Sequence, residues 1–171
     1  MDTWDAIRAR RNVRHYEDRP IPSEDLDRIL EAAWRTPSSR NGQPWDFVAC
    51  TDRDTLRELA HTWRHAQHVA SSAAAVALVA PEPHDADERD WIFYDMGQAT
   101  IQMMVTAADL GIGSCHSTVD DQALARRILG LPEDRSCIAL VALGYPSDRP
   151  LKPVAHPKRR PKDEVIHRER W

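Results

Sequence analysis

Residues 91–110, WIFYDMGQATIQMMVTAADL, carry apolar or small side chains on nearly every face of a helix. A surface helix shows a single apolar stripe, whereas a helix that is apolar all round is normally buried. Gly111 and Gly113 follow directly and end the helical pattern. We therefore predict a long central helix around which the other elements of the chain pack.

Shorter apolar runs before and after this helix predict strands and helices that alternate without regular βαβ units. Strands are predicted at residues 46–51, 73–80, 114–119 and 137–143. Other helices are predicted to begin at Asp2 or Thr3, at the N-cap Ser23, after Asp52 or Asp54, and after Asp120 or Asp121. The second of these helices ends before Pro37, the third continues through Trp63, and the last ends at Gly130. The acidic residues 81–90 lack periodicity, which predicts an exposed loop or lid. The pattern indicates one α+β sandwich domain over residues 1–171.

The C-terminal residues 145–171 differ from the rest of the chain in charge and in proline content. They contain eight basic and four acidic residues, a net charge of +4, whereas the rest of the chain carries −8. Five prolines within this segment exclude an ordinary helix. The segment is therefore either disordered or an extended arm held against another surface. A basic segment on an acidic protein favours one anion bound at a defined place over general nucleic-acid binding.

Several classes of protein are disfavoured by what the sequence lacks. It shows no secretory signal and no apolar span long enough to cross a bilayer, so we expect a cytoplasmic protein without a membrane partner. Cys50, Cys115 and Cys137 are odd in number and widely spaced, which predicts buried free thiols in a reducing compartment. There is no glycine-rich phosphate loop, GxSxG turn or HExxH helix.

A row of histidines is the one pattern that resembles a metal site. His61, His65 and His68 share a face of the predicted third helix. No acidic or thiol side chain joins them on that face, so an exposed or substrate-facing row is expected and no metal is predicted.

The strongest local feature is the cationic stretch RRNVRHY, which contains Arg10, Arg11, Asn12 and Arg14. Guanidinium groups present planar forks of donors that suit phosphate oxygens and also stabilise a delocalised anion. A second basic cluster contains Lys158, Arg159 and Arg160. Both clusters fit the same anion, although a solvated run of charge would also account for either of them.

The first cationic stretch and the later segment PSSRNGQPWDF (37–47) together resemble the paired motifs of the flavin-dependent nitroreductase family. The likeness continues in the same order with DMG (95–97), LGIGSC (110–115), LGLP (129–132), GYP (144–146) and RPKDEV (160–165). Each motif alone is weak, whereas the ordered set spans almost the whole chain and is fairly specific.

The resemblance implies a nitroreductase-like sandwich with a central mixed, mostly antiparallel sheet flanked by helices, and residues 145–171 as an arm wrapped over a partner subunit. It implies a homodimer that binds FMN at the subunit interface. The implied cofactor-binding residues are Arg10, Arg11, Asn12, Arg14, Pro37, Ser38, Ser39, Asn41, Thr118, Val119, Lys158, Arg159 and Arg160. Of these, Pro37, Ser38, Ser39 and Asn41 would reach the flavin of the partner, while Gln43 and Trp45 would fix their loop. Arg14 would lie near the N1/O2 edge of the flavin and support its reduction electrostatically.

The implied activity is a ping-pong reaction in which NADH or NADPH reduces FMN and a small electron-poor acceptor, a nitroaromatic or quinone, is then reduced. The substrate-facing wall would come from residues 61–68 and 91–94. Three alternatives stay open: a relative specialised for another flavin redox reaction, a non-catalytic flavin-binding protein, and a module that binds nucleic acid or an acidic partner through the basic tail. The tail lacks the aromatic pattern that single-stranded nucleic acid requires, which disfavours the last.

Overall fold

The computed structural model describes residues 1–171. The helices are α1 (Thr3–Ala9), α2 (Ser23–Trp34), α3 (Arg53–Leu59), α4 (Gln67–Ala70), α5 (Ala86–Asp109) and α6 (Gln122–Leu129). The strands are β1 (Asp46–Cys50), β2 (Ala74–Pro81), β3 (Gly113–Thr118) and β4 (Arg135–Gly144). Short 3-10 turns cover Ser39–Asn41 and Lys162–Glu164. None of the helices combines the length and the apolar character that crossing a membrane requires.

The four strands form one sheet in the order β1-β2-β4-β3, and every neighbouring pair is antiparallel. A parallel bridge between Asn12 and Ser114 extends the sheet beyond β3. The predicted α+β class with a mostly antiparallel sheet is confirmed. The register between β2 and β4 shifts between Leu78 and Val79, which marks a bulge next to the cavity described below.

Helices cover both faces of the sheet because the central strands are apolar on both sides. Val76 and Leu78 of β2 pack into a core with α2 and α5, whereas Ala75, Ala77 and Val79 pack into a second core with α3, α4 and α6. This alternation follows from the two-residue period of a strand. The sandwich thus has three layers, with α5 along one face of the sheet.

Helix α5 is longer than the sequence predicts, since it begins at Ala86 rather than near Trp91. Asp85 accepts a hydrogen bond from the backbone N–H of Glu88 at 2.8 Å, and the Glu88 carboxylate accepts one from the N–H of His84 at 2.7 Å. This reciprocal cap starts the helix inside the acidic stretch. The predicted exposed loop or lid over residues 81–90 is therefore wrong for residues 86–90, and only residues 82–85 connect β2 to α5.

Two other helix ends also differ from the prediction. Ser23 is the first helical residue and not the N-cap, because Pro22 occupies the cap position and its carbonyl accepts from Asp25 and Leu26 at 3.1 Å. The third helix ends at Leu59, where the Thr62 hydroxyl donates to the Leu59 carbonyl at 2.7 Å. The backbone N–H of Thr62 also donates to the Leu59 carbonyl at 3.1 Å, and this tighter three-residue spacing replaces the α-helical pattern at the end of α3.

The segment after α1 lies against the end of the sheet. The N–H of Val13 donates to Ser114 at 2.9 Å, and the Tyr16 hydroxyl donates to the Val13 carbonyl at 2.6 Å. Glycine permits this close approach: a Cβ at Gly113 would lie 2.7 Å from the Val13 Cβ, and one at Gly144 would lie 2.7 Å from the Tyr16 ring. These contacts place the cationic stretch beside β3.

The first part of the C-terminal arm runs back along the same cationic stretch. Three backbone hydrogen bonds join them. The N–H of Glu17 donates to the Tyr145 carbonyl at 2.8 Å, that of Ser147 to the His15 carbonyl at 3.0 Å, and that of Val154 to the Arg8 carbonyl at 3.1 Å. Beyond residue 154 every residue is exposed, and its hydrogen bonds stay within the arm. The structure therefore fixes the start of the arm on its own chain, and the wrapping of a partner stays a prediction.

Candidate functional site

An open cavity of about 580 Å³ lies between α5, β3 and the start of the cationic stretch, and we call it the α5 cavity. Its volume is within the range of roughly 300–1,000 Å³ that is typical of small-molecule and cofactor sites. It is lined by Arg10, Asn12, Leu78, Phe93, Met96, Gly97, Thr100, Ile101, Met104, His116, Ser117, Thr118, Ile138 and Ala139. The cavity thus brings together the predicted site residues Arg10, Asn12 and Thr118.

The polar rim of the α5 cavity depends on the contact between the cationic stretch and β3. Arg10 is the C-cap of α1, and its guanidinium donates to the Asn12 side-chain oxygen at 3.3 Å. Asn12 is held by its bridge to Ser114, and the β3 residues after it bring Thr118 to the same cavity. A guanidinium, an amide and a hydroxyl therefore converge on one opening.

The inner wall of the α5 cavity is apolar. Met96 and Met104 of α5 and Leu78 of β2 are buried members of the core beneath it. A planar apolar ring placed there would contact methionine and leucine side chains, while a charged end would face Arg10. The arrangement suits an amphipathic ligand with one anionic end.

Arg11, which is adjacent to Arg10, points elsewhere. Its guanidinium donates to the backbone carbonyls of Arg149 and Pro150 and lies 3.8 Å from the Asp148 carboxylate. Burial and the neighbouring Arg149 lower its pKa, while Asp148 opposes the shift. Arg11 therefore anchors the C-terminal arm and does not line the α5 cavity.

Arg14 and Val119, also predicted as site residues, lie outside the cavity lining. Arg14 is exposed, and its charge acts on His68 and Cys115. The Val119 side chain is buried in the second core, so only its backbone remains as a possible donor. Thr118 is exposed on the strand just before it.

His68 is buried, and its Nε2 atom has no hydrogen-bond partner. Burial, and then the charge of Arg14, lower the pKa of His68 from its usual 6.5. As the pH falls below 6.5, the unfolded chain therefore binds a proton at this position before the folded chain does, and the folded state loses stability.

This linkage predicts how His68→Leu changes the response to pH. The wild-type protein should lose stability as the pH is lowered from about 7.5 to about 5.5, and the variant should lose less over the same interval. The measurement is the urea midpoint at both pH values. Equal losses in the two proteins would contradict a depressed His68 pKa.

The loop that carries the other predicted site residues lies on the far side of α5. Ser39, Arg40 and Gln43 line a groove of about 1160 Å³ that shares no residue with the α5 cavity. Within one chain, the structure therefore does not bring Pro37, Ser38, Ser39 and Asn41 to Arg10.

This loop has an unusual backbone. Arg40, Asn41 and Gln43 have positive φ values of 53°, 56° and 49°. The left-handed conformation costs roughly 1–2 kcal/mol for a residue such as Arg or Gln, and less for Asn. Gln43 stabilises the turn through two hydrogen bonds. Its backbone N–H donates to the Ser38 hydroxyl at 2.9 Å, and its side-chain amide donates to the Asn41 carbonyl at 3.2 Å. These contacts agree with the predicted role of Gln43.

The second basic cluster is not brought to the α5 cavity either. Lys158, Arg159 and Arg160 are all exposed, and none of them lines the cavity or the groove. Arg160 pairs with Glu164 of the same arm at 3.3 Å. A phosphate contact from this cluster stays a prediction.

The predicted histidine row is wrong in its geometry. Because α3 ends at Leu59, His61 and His65 lie in the exposed connection, and His68 lies in the separate one-turn helix α4. No group of three or more His, Cys, Asp or Glu side chains is placed to hold a metal ion. Cys50, Cys115 and Cys137 are free and buried, as predicted.

Two contributions to the site were not among the predicted cofactor-binding residues. Thr100 and Ile101 of α5 line the cavity beside Gly97 of the DMG motif, and their spacing on the helix was the only sequence signal for a shared face. Asp95, the first residue of the same motif, is 2% exposed and accepts hydrogen bonds from the Ser39 backbone and hydroxyl. The sequence signals for Asp95 were its place in that motif and its charge in a mostly apolar part of the helix.

Comparisons with known proteins point to one family and one fold. The model of the nitroreductase family matches residues 7–80 and 57–145. A protein of Archaeoglobus fulgidus named NADH dehydrogenase/NAD(P)H nitroreductase is 34% identical over 169 residues, covering 96% of both chains. Among solved structures, one described as an NADH oxidase from Clostridium acetobutylicum matches with a TM-score of 0.86 and 24% identity, over 98% of this chain and 100% of the other. An FMN-dependent nitroreductase from Clostridium difficile matches with a TM-score of 0.84 and 22% identity, over 97% and 98% of the chains.

Proposed function

Because this chain belongs to the nitroreductase family, we propose that it is an FMN-dependent oxidoreductase that acts as a homodimer. It uses NADH or NADPH to reduce nitroaromatics, quinones or similar electron-poor acceptors by a ping-pong mechanism. Residues 1–171 form a single FMN-binding domain, with residues 145–171 as its arm. The three free buried thiols are consistent with action in the reducing cytoplasm.

The observation that carries this proposal is the chemistry of the α5 cavity. It joins a guanidinium and an amide, suited to a phosphate and a ribityl chain, to an apolar wall suited to a flavin ring. The residues present therefore fit FMN. When bound, FMN supplies the redox chemistry, taking a hydride from the nicotinamide and passing electrons to the acceptor.

The chain contributes binding, orientation and electrostatics. With FMN bound, Arg10 and Asn12 would hold its anionic end, and Met96 and Met104 would shield its apolar ring from water. Arg14 does not line the cavity of its own chain, and its proposed role as the cation that would stabilise negative charge on the reduced ring rests on the family resemblance. The backbone between Thr118 and Val119 would offer an N–H to the ring.

A second subunit completes this site. Pro37, Ser38, Ser39 and Asn41 cannot serve the cavity of their own chain, since α5 separates their loop from it. In the dimer they approach the FMN of the partner, and Lys158, Arg159 and Arg160 close on a phosphate.

Exposed apolar residues on α1 and α5 support the dimer. Trp4 is 65% exposed, Phe93 52% and Ile101 46%, and Phe93 and Ile101 lie at the mouth of the cavity. Apolar patches of this kind mark interaction surfaces in proteins that would otherwise expose them to water. In the proposed dimer, α5 packs against its own sheet along one face, and a second copy covers the face that exposes Phe93 and Ile101.

Anaerobic reduction tests the function. Purified protein is expected to carry FMN, to lose its flavin absorbance when mixed with NADH or NADPH, and to regain it when a nitroaromatic is added. Protein mixed with the nitroaromatic alone is the control and should not change. Bound flavin that neither nicotinamide reduces would instead support a non-catalytic flavin-binding protein. A monomer that takes up no added FMN would contradict both functions.

A further inference from the structure

Asp95 is the buried carboxylate on α5, a helix whose other buried residues are apolar. Burying a charged group is costly unless donors surround it. The Asp95 carboxylate accepts from the Ser39 N–H at 2.9 Å, from the Ser39 hydroxyl at 3.3 Å and from the Gln98 side-chain amide at 3.2 Å. Two of its three donors therefore belong to a residue 56 positions away in the sequence.

The loop over residues 37–44 depends on this carboxylate. Its remaining hydrogen bonds are internal, from Asn41 to Ser38 at 3.0 Å, from Gly42 to Ser39 at 2.9 Å and from Gln43 to Ser38 at 2.9 Å. The observed conformation of the loop is costly because Arg40, Asn41 and Gln43 have positive φ values. Apart from a local bond from the N–H of Trp45 to the Gln43 carbonyl at 2.8 Å, Asp95 is thus the one hydrogen-bonded link between the loop and the body of the chain.

The neighbouring positions of α5 serve a different site. Met96 and Gly97 line the α5 cavity of their own chain, whereas Asp95, one position earlier, lines the groove under the loop. Residues 95–97 of α5 therefore serve two sites. Met96 and Gly97 form part of the wall of the α5 cavity, and Asp95 binds the loop over residues 37–44.

We propose that Asp95 is a positioning residue for the flavin site of the partner subunit, because it fixes the loop over residues 37–44 in the conformation that reaches that flavin. This inference rests on the proposed function, in which the loop serves the partner. Its consequence is that a change at Asp95 weakens the partner's site and leaves the cavity of its own chain intact.

The first test uses Asp95→Asn, which keeps the size of the side chain but replaces one of its two acceptor oxygens with an NH2 donor, so that the Ser39 and Gln98 donors cannot all be satisfied. We expect the Kd for FMN to rise roughly tenfold and the amides of the loop to exchange hydrogen faster, with FMN absent, than in the wild-type protein. Asp90→Asn is the matched control, since Asp90 is an exposed carboxylate on the same helix that pairs only with Arg89. It should change neither quantity.

Ser39→Ala is a second variant that tests the same link if Asp95→Asn does not fold. It removes the hydroxyl that donates to Asp95, so faster exchange in the loop without FMN is expected again. A direct flavin contact by Ser39 would not change exchange in the absence of FMN, which separates the two roles.

A mixed dimer tests whether Asp95 acts on the partner. One subunit carries Arg10→Ala and the other carries Asp95→Asn, and the mixed species is isolated through two different tags. If Asp95 serves the partner, both changes fall on the same flavin site, and one site of wild-type affinity remains for each dimer. If Asp95 serves its own chain, each site has one defect and no tight site remains, which would overturn the inference.

Failure of this inference is distinguishable from failure of the proposed function. Wild-type protein that does not bind FMN would end the proposed function and the inference with it. Wild-type protein that binds FMN, together with Asp95→Asn protein of unchanged FMN affinity and unchanged loop exchange, would overturn only the role of Asp95.

Discussion

Gly113→Ala should destabilise the protein by about 1–3 kcal/mol, the usual cost of inserting a carbon into a packed site. The new Cβ would lie 2.7 Å from two Val13 atoms, closer than carbon atoms approach, and Val13 is itself buried. Val13 must therefore move away from β3, and it takes Arg10, Asn12 and Arg14 with it. We expect lower thermal stability together with a loss of FMN affinity of roughly tenfold or more.

Thermal unfolding and flavin titration on the same sample measure both effects. Gly144→Ala offers a parallel case, because its Cβ would meet the Tyr16 ring at the other end of the same segment. Gly113→Ala protein with unchanged stability and unchanged FMN affinity would show that the cationic stretch does not depend on its contact with β3.

Arg10→Ala should weaken FMN binding by roughly 10- to 100-fold while the fold is retained. A hydrogen bond to a charged group contributes about 1.5–3 kcal/mol, which corresponds to this range of affinity. Arg10 lines the α5 cavity, and its guanidinium makes a single hydrogen bond within the chain, to Asn12, so removing this side chain costs the fold little. Quenching of flavin fluorescence on titration gives the Kd.

Arg28→Ala is the matched control for Arg10→Ala. Arg28 is an exposed guanidinium on α2 that lies 3.6 Å from the Asp109 carboxylate and does not line the α5 cavity. The Arg28→Ala protein should bind FMN with the same Kd as the wild-type protein. Equal affinities for Arg10→Ala and Arg28→Ala would remove Arg10 from the cofactor site.

Features that depend on near neighbours in the chain could be predicted well. Asp52 and Asp121 cap their helices, and Gly130 ends α6 with a φ of 65°, because caps and turns involve residues only a few positions apart. The four strands were located to within two residues, since their apolar runs have the right length. The cavity residues Arg10, Asn12 and Thr118 were found through family motifs.

Features that depend on distant parts of the chain could not be predicted. Arg10 and Arg11 are chemically identical neighbours, yet one lines the cavity and the other binds carbonyls of the arm 138 and 139 positions away. The histidine row failed because α3 ends at Leu59, where the backbone hydrogen bonds of His61 and Thr62 tighten to a three-residue spacing. The apolar periodicity of the sequence does not show where this change of spacing occurs.

The sequence by itself determined the class of the fold, the strand and helix segments, the family and the cationic character of the site, because these follow from local pattern and composition. Only the tertiary structure decided which arginine faces the cavity, that Asp95 holds the loop over residues 37–44, and that α5 separates this loop from the cavity of its own chain. Those outcomes depend on contacts between residues far apart in the sequence. Such residues meet, and their side chains take a definite direction, only when the sheet and the helices pack.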